Sequence, residues 1–563
     1  MAASIPKISA EHSWGIRSYL GLLLAWLATA AIFYGPLIKA DTLLNRDDLD
    51  LVNPLREIHG LREYFAAVFD GRVFDLNPLR DLSYKLNLAF EGIPLLGNFH
   101  FGNCVIWFGC CATFFLILNR LKRPPAVICG VLLLFACHPA MVNSVCWVAA
   151  RKHLLALLFI EAATLLALSP RYSRRRYAGI FGCYLAALLC QPIVILWPAW
   201  WVLYLRYERG ESWRRALTAV TPLFVPLVAA AAANDWYYSG PYLRATGGYA
   251  KFASRGLALD LGFSLRMFGR QFFQIIFPLR VSTLDYNADS FLNLLGLAIL
   301  SIALLAAWNL LPRSRVVTWL SPFVLALAVV AVRPTNVFVS DSYSLWPAFG
   351  IAVLLAEMAG CARSARIFAT GALVIASFFF ARSVPLARAW LSTESAIAYA
   401  YDVEPSSQVN YYRTLSLVRM GQWEEAMKTA TLGLNNPTLG RAAFAQVVLL
   451  HPGIPMEKKE EWLRRYPAPT ISYSARLAVV LAKEKKFGEA YTLLRPFAPL
   501  LGSVDSNILA GFDDHAVIAA DLLLYCRKAA TPVDCQVIER HLRAQLSIAG
   551  KGAAARFDVR LAE

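Results

Sequence analysis

Two short stretches carry the residue types from which chemistry can be built. The first is NRDDLDLVNPL at 45–55, where Asp47 and Asp48 are adjacent and Asp50 follows. A carboxylate held near a membrane surface beside cations can act as general base toward an incoming hydroxyl; the same acids also read as an ordinary solvated loop. The second is HPAMVNSVCWVAARKHLLALLF at 138–159, which starts polar, turns apolar, and plants Arg151 and Lys152 at the mouth of an expected membrane helix. A cation there is costly unless an anion meets it. A lipid phosphate satisfies both cations, and snorkelling to headgroups is the alternative. Arg266 and Arg270, four apart in LDLGFSLRMFGRQFFQIIFP (259–278), share one helix face and are further candidates for phosphate.

Other chemistries find little purchase. The eight histidines show no H-x-x-x-H or H-x-E grouping and the cysteines no C-x-x-C pair, so no metal site is expected. No phosphate-cradling glycine loop or dinucleotide fingerprint occurs, and no cofactor is expected. Glu161 and Glu357 are the main intramembrane acids, readable as a proton path or, more simply, as helix–helix hydrogen bonding.

The elements that must hold these residues are membrane helices. Of 563 residues 58% are hydrophobic and 17% charged, and the mean hydropathy is +0.48, far too apolar for a soluble chain of this length. The formal charge of +17 is scattered in short clusters between apolar runs, which reads as topology and excludes a nucleic-acid-binding face. Apolar runs begin near Tyr19, Phe101, Pro125, Trp147, Tyr177, Pro192, Leu217, Phe291, Val317, Tyr343 and Ile367, which predicts about eleven spans. The first, Tyr19 to Ile38, lacks a cleavage site and reads as a retained helix. NRLKRP (119–124), RYSRRRY (171–177), RYERGESWRR (206–215), PRSR (312–315) and ARSAR (362–366) are cytoplasmic by the positive-inside tendency. The N-terminus is then inside and the tail after Arg382 outside.

This predicts an all-α polytopic membrane domain over 1–382, with outward segments at 39–100 and 234–290, followed by an extracytoplasmic helical domain over 383–563. The piece 259–278 reads as interfacial or re-entrant, because counting it as a span inverts the later charge bias. In the tail, YYRTLSLVRMGQWEEAMKTATLGLNNP (411–437) looks like a tetratricopeptide repeat, and YSARLAVVLAKEKKFGEAYTLLRPFAPL (473–500) is a weaker copy with Lys486, Phe487 and Ala490 in matching places. Such repeats stack into a concave surface that binds a protein partner; packing on the membrane domain is the plainer role. Only Cys526 and Cys535 of the eleven cysteines lie in this domain, either side of a Pro-containing turn. If the domain is outside, they should form a disulfide.

The 138–159 stretch resembles the pattern H-P-L-R-V-E-S-V-A-W-V-x-E-R-K-D-V-L of bacterial membrane proteins that join a GT-C glycosyltransferase-type domain to tetratricopeptide repeats, relatives of the transmembrane O-mannosyltransferases. Other landmarks fall in that family's order: the double aspartate followed by Asn53 and Pro54; NPLRDLS (77–83); FHFGN (99–103), with His100 and Asn103; CQPIVILWP (190–198); and SDSYSLWPAFG (340–350), with Asp341 and Tyr343. The resemblance covers most of 15–380 and implies a bacterial inner-membrane transferase, with its C-terminal domain periplasmic. Such an enzyme takes a sugar from a polyprenyl-phosphate carrier and passes it, with inversion, to a protein or glycan hydroxyl. It further implies Asp48 or Asp47 as base and Arg151 and Lys152 as holders of the leaving lipid phosphate, with His138 and His153 nearby.

Departures run alongside the matches. Where the family tends to carry titratable or charged residues, this chain has Asn77, Trp107, Asn143, Ala150, His153, Gln191 and Ser342. Paired charges in a membrane cavity tend to be lost together, since removing one strands its partner. The pattern reads as retirement of a polar network, with either an altered substrate site or a non-catalytic scaffold of an envelope assembly as its consequence. His153 could substitute for an acid by titrating near neutrality.

Overall fold

Each of the long apolar runs becomes helix, as hydrocarbon demands of a backbone that must satisfy its own hydrogen bonds. The structure is a computed structural model. It describes residues 16–40, 47–70, 73, 75–169, 173–239, 261–278, 281–283, 286–287, 291–332, 338–339, 344–361, 365–403, 405–436, 439–467, 471–496, 515–529, 535–536, 538–540, 542–543 and 558–561. The described residues are all-α apart from a two-residue antiparallel pairing of β1 (Tyr286–Asn287) with β2 (Phe338–Val339).

From the N-terminus the helices are α1 (Ile16–Ala40), then three short ones, α2 (Asp47–Arg56), α3 (Leu61–Phe69) and α4 (Pro78–Ala89), before α5 (Phe99–Arg120). Next come α6 (Pro125–Cys137), α7 (Pro139–Cys146), a 3-10 turn at Val148–Ala150, α8 (Arg151–Ala167), α9 (Arg174–Cys190) and α10 (Trp197–Tyr207). The membrane part continues through α11 (Trp213–Val220), α12 (Phe224–Ser239), α13 (Leu261–Ile276), α14 (Phe291–Leu310), α15 (Arg313–Val332), α16 (Leu345–Cys361) and α17 (Ala365–Ala389).

Among the described residues four helices are long and apolar enough to cross a bilayer: Leu20–Ala40, Phe99–Arg120, Trp213–Tyr237 and Ile367–Ala389. A fifth is the pair Pro125–Cys137 and Pro139–Cys146, bent by 51°. Pro139 causes that bend by removing an N–H and forcing His138 out of the helical region, to ψ 125°. The other expected runs also lie in helices: α8 and α9 have 17 residues each, α14 and α15 have 20 each, α16 has 17 and α10 has 11. Within the 259–278 piece, Leu261–Ile276 forms α13, which packs on α14 and α15 and joins Phe272 to Phe323 at 5.5 Å between ring centres.

The expected boundary at 382 falls inside a helix. The cation of Arg382 marks where the apolar stretch stops, while α17 runs unbroken to Ala389, and Ser383 donates to the Cys137 carbonyl at 2.9 Å. The hydrophobic core around the membrane helices extends to Trp390 and Ala396, and a separate core begins at Leu417.

After α18 (Thr393–Val403), whose Ala396 still belongs to the first core, the second core is built by α19 (Ser407–Arg419), α20 (Trp423–Leu432), α21 (Leu439–Leu450), α22 (Met456–Arg465), α23 (Ile471–Lys483), α24 (Phe487–Leu494) and α25 (His515–Ala529). The pairs α19–α20 and α23–α24 turn at left-handed residues, Gly421 (φ 70°) and Lys485 (φ 63°). Glycine takes that conformation freely, whereas the lysine is strained by about 1–2 kcal/mol. Ala426 and Ala490, five residues after the two turn residues, are both fully buried. The first helices of successive pairs stack, α19 on α21 and α21 on α23. Cys526 and Cys535 are joined in a disulfide with Cα atoms 5.7 Å apart.

Candidate functional site

The first-loop helices and the start of α8 meet. On α4, Arg80, Asp81, Tyr84 and Asn87 recur at helical spacing and are all buried, forming one polar inner face. The first turn of α5 brings Phe99, His100 and Asn103, and the first turn of α8 brings Arg151, Lys152 and His153. Adjacent side chains on a helix point about 100° apart, from 3.6 residues per turn, so Arg151 and Lys152 separate on entry.

Arg151 is fully buried and its guanidinium is committed. Its Nε donates to Asn103 Oδ1 at 2.7 Å, Nη1 to Asn87 Oδ1 at 2.6 Å and to the Ser83 carbonyl at 3.2 Å, and Nη2 to the Phe99 carbonyl at 2.6 Å. The Tyr84 ring lies under the guanidinium at 4.7 Å, and Tyr84 Oη donates to the Val148 carbonyl at 2.8 Å. Asn103 Nδ2 donates in turn to the carbonyls of Val145 and Trp147. Gly102 leaves the room this needs, because a Cβ there would stand 2.8 Å from Arg151 Nη2. Every one of these acceptors is neutral.

Lys152 turns toward a chain of ions. Its Nζ donates to Asp75 Oδ2 at 2.7 Å, and the other Asp75 oxygen accepts from Arg80 Nη1. Arg80 also pairs with Asp81, donating from Nε at 2.9 Å, and Tyr64 Oη donates to Asp81 Oδ2 at 2.7 Å. Burial works to raise Asp75, but Arg80 and Lys152 overcome it and hold the carboxyl well below the usual carboxylate range. Asp81 shares one cation, and burial pushes it up. The Arg80 side chain is 0% exposed, whereas Lys152 keeps 19% and Asp75 10%, so this end of the chain reaches solvent.

Asp48 joins the same region. It is buried, and its Oδ1 accepts the backbone N–H of Ala149 at 2.8 Å in the 3-10 turn that leads into Arg151. Asp47 opens α2, and its side chain lies outside the described residues, as does that of Arg266 on α13. Asp341, Ser342 and Tyr343 also lie outside them. His100 and His153 are buried.

A second polar cluster lies at the other end of α7. His138 Nδ1 accepts the Ala140 N–H at 3.2 Å, so its Nε2 carries the proton and donates to the Ile275 carbonyl of α13 at 3.0 Å. Asn143, where the family pattern has an acid, donates to the Ser282 carbonyl at 3.0 Å and accepts from Trp390 Nε1 at 2.8 Å. Arg270, Gln271 and Gln274 form a buried polar stripe on α13. Beside His138, α6, α7, α13, α16 and α17 enclose an apolar cavity of about 210 Å³ that includes Phe135, Met141 and Phe379 in its wall.

The two intramembrane acids differ. Glu357 accepts Arg315 at 2.6 Å and Arg123 at 3.3 Å, while neither oxygen of the fully buried Glu161 has a hydrogen-bond partner among the described residues. No three His, Cys, Asp or Glu gather as metal ligands among those residues. Sequence reasoning missed Asp75, Arg80, Asp81 and Tyr64. The polar spacing 80, 81, 84, 87 was the available signal, beginning inside the NPLRDLS motif and continuing past its end at Ser83.

The class these features define is an all-α protein with, among the described residues, four or five helices able to cross a membrane, carrying a buried ion network beside the entry to α8. No protein-family model, no curated protein and no solved structure matches the chain.

Proposed function

We propose that the chain is a membrane transferase that moves a sugar from a polyprenyl-phosphate donor to a protein or glycan hydroxyl at the extracytoplasmic face. The observation that carries this reading is the convergence of the first-loop acid Asp48 on the turn that presents Arg151 and Lys152. Of the two cations Lys152 is the one suited to a donor phosphate, since it is partly exposed and Arg151 is enclosed by Asn87, Asn103 and two carbonyls. Electrostatic stabilisation of a departing phosphate is a large part of such a barrier. Asp48 is buried, so catalysis in this reading includes an opening that lets the acceptor hydroxyl reach its carboxylate. The test is transfer of labelled sugar from polyprenyl phosphate in membranes holding the wild type, Asp48→Asn or Lys152→Ala at equal abundance. Loss in both variants is the expected result; full transfer in both overturns the reading.

One observation favours a second reading, a non-catalytic scaffold whose C-terminal tetratricopeptide-like pairs recruit a partner to an envelope assembly. The ions of the first-loop network satisfy one another, and Asn143 serves as a brace between Ser282 and Trp390. Under that reading the cellular phenotype survives the point variants and disappears when 400–563 is deleted.

A further inference from the structure

Helix α4 is built inside out. Its charged and polar residues Arg80, Asp81, Tyr84 and Asn87 face the interior, while Leu82 and Leu86 on the helix and Phe90 at its cap, spaced four apart, are 42–57% exposed. Helix α3 repeats the spacing with Leu61, Phe65 and Phe69, exposed by 57–76%. A helix bordering water has the opposite polarity, with its apolar stripe toward the core. Lys85 sharpens the point, because its ammonium folds back to the carbonyls of Leu55 and Ile58, at 3.0 and 2.6 Å.

We infer that the outer faces of α3 and α4 are a lipid-binding surface that lies in one leaflet of the membrane. The α3 stripe meets one span directly, and α4 is tied to the end of another through Asn87 and Asn98. The Phe69 ring meets Trp236 at 5.2 Å, one residue before the end of the span Trp213–Tyr237, whose Val225 and Val228 are themselves exposed. At the other end, Asn98, after the turn that follows α4, donates to the Ile38 carbonyl at 2.7 Å in the last turn of the span Leu20–Ala40. The stripes are therefore level with the ends of two spans, where the bilayer passes from acyl chains to headgroups and aromatic residues concentrate. Exposed charges rim them, Arg62 and Glu63 on α3 and the Arg56–Glu91 pair at 2.6 Å, as an interfacial helix keeps its polar edge among headgroups. The partner is a phospholipid leaflet, and this assignment does not depend on transferase activity.

Cysteine variants Phe65→Cys, Leu82→Cys and Leu86→Cys of the full chain, carrying an environment-sensitive fluorophore and reconstituted in phosphatidylcholine vesicles, test it. Glu457→Cys on exposed α22 supplies the water-facing reference, and identically treated wild type supplies the background from native thiols. Labels at 65, 82 and 86 should be quenched several-fold more by lipids bearing a nitroxide high on the acyl chain than by aqueous iodide, with the ratio reversed at 457. Iodide quenching equal to that at 457 overturns the proposal in favour of a hydrated loop. Protection from both quenchers, with label-to-label crosslinking between chains, overturns it in favour of a second copy.

Discussion

Asp48 accepts the backbone N–H of Ala149 at 2.8 Å, tying residues separated by 101 positions in the chain. The first-loop acid thereby fixes the turn from which Arg151 and Lys152 enter α8. Position and chemistry at this residue can be separated by the choice of substitution.

Asp48→Asn retains an acceptor oxygen and should keep thermal stability close to wild type. Asp48→Ala leaves the buried Ala149 N–H unmatched and should cost about 1–3 kcal/mol. Melting curves of the two purified variants, taken with transfer assays, distinguish a cap from a base: the cap role spares the Asp48→Asn variant in both measurements, and the base role removes its transfer alone.

Gly102→Ala should destabilise, against the ordinary gain of up to about 1 kcal/mol for that exchange inside a helix. The added methyl would stand 2.8 Å from Arg151 Nη2 and 3.1 Å from Asn87 Oδ1, so the guanidinium must leave its acceptors. A Tm below wild type checks the sign. A rise would show that the fork can shift without loss.

Acid should weaken the first-loop network through Asp75. Its folded-state carboxyl is held below the unfolded value by Arg80 and Lys152 against burial. The associated stability is present above the unfolded value, about 3.9, and falls away as pH drops from there through the depressed folded value. Asp75→Asn should therefore be less stable at pH 7 by about 1.5–3 kcal/mol, the usual worth of hydrogen bonds to a charged group, since Arg80 keeps Asp81 as a partner, and should show a flatter loss between about pH 4 and the acid limit. Denaturation followed at several pH values checks both the size and the slope.

Reduction of native protein should expose one further pair of thiols under denaturing conditions, from Cys526 and Cys535. Counting reactive thiols before and after reductant, in protein taken from its membrane without added reductant, makes the measurement. Such a bridge requires an oxidising compartment, so no change on reduction contradicts an extracytoplasmic C-terminal domain.

Helix positions were legible because apolar runs and their flanking cations leave long one-dimensional signals. Helix ends were less so: α8 opens with Arg151, Lys152 and His153, and the apolar run that begins near Trp147 also takes in the Val148–Ala150 turn. In the site, the adjacency of Arg151 and Lys152 concealed their divergence, since neighbouring positions on a helix face different surroundings. Asp75 and Arg80 were invisible for another reason. An ion pair is defined by where two side chains end, and Lys152 reaches Asp75 from 77 residues away. The buried polar face of α4 was legible in spacing but not in direction, because a striped helix does not say which stripe is turned to the core.

The far end of α17 is a junction. The 25-residue helix stops one residue before Trp390, which donates to Asn143 of α7. Cys146 closes α7 shortly before Ala149, whose N–H Asp48 accepts, so the seam between the membrane helices and the stacked pairs lies within one short helix of the first-loop acid.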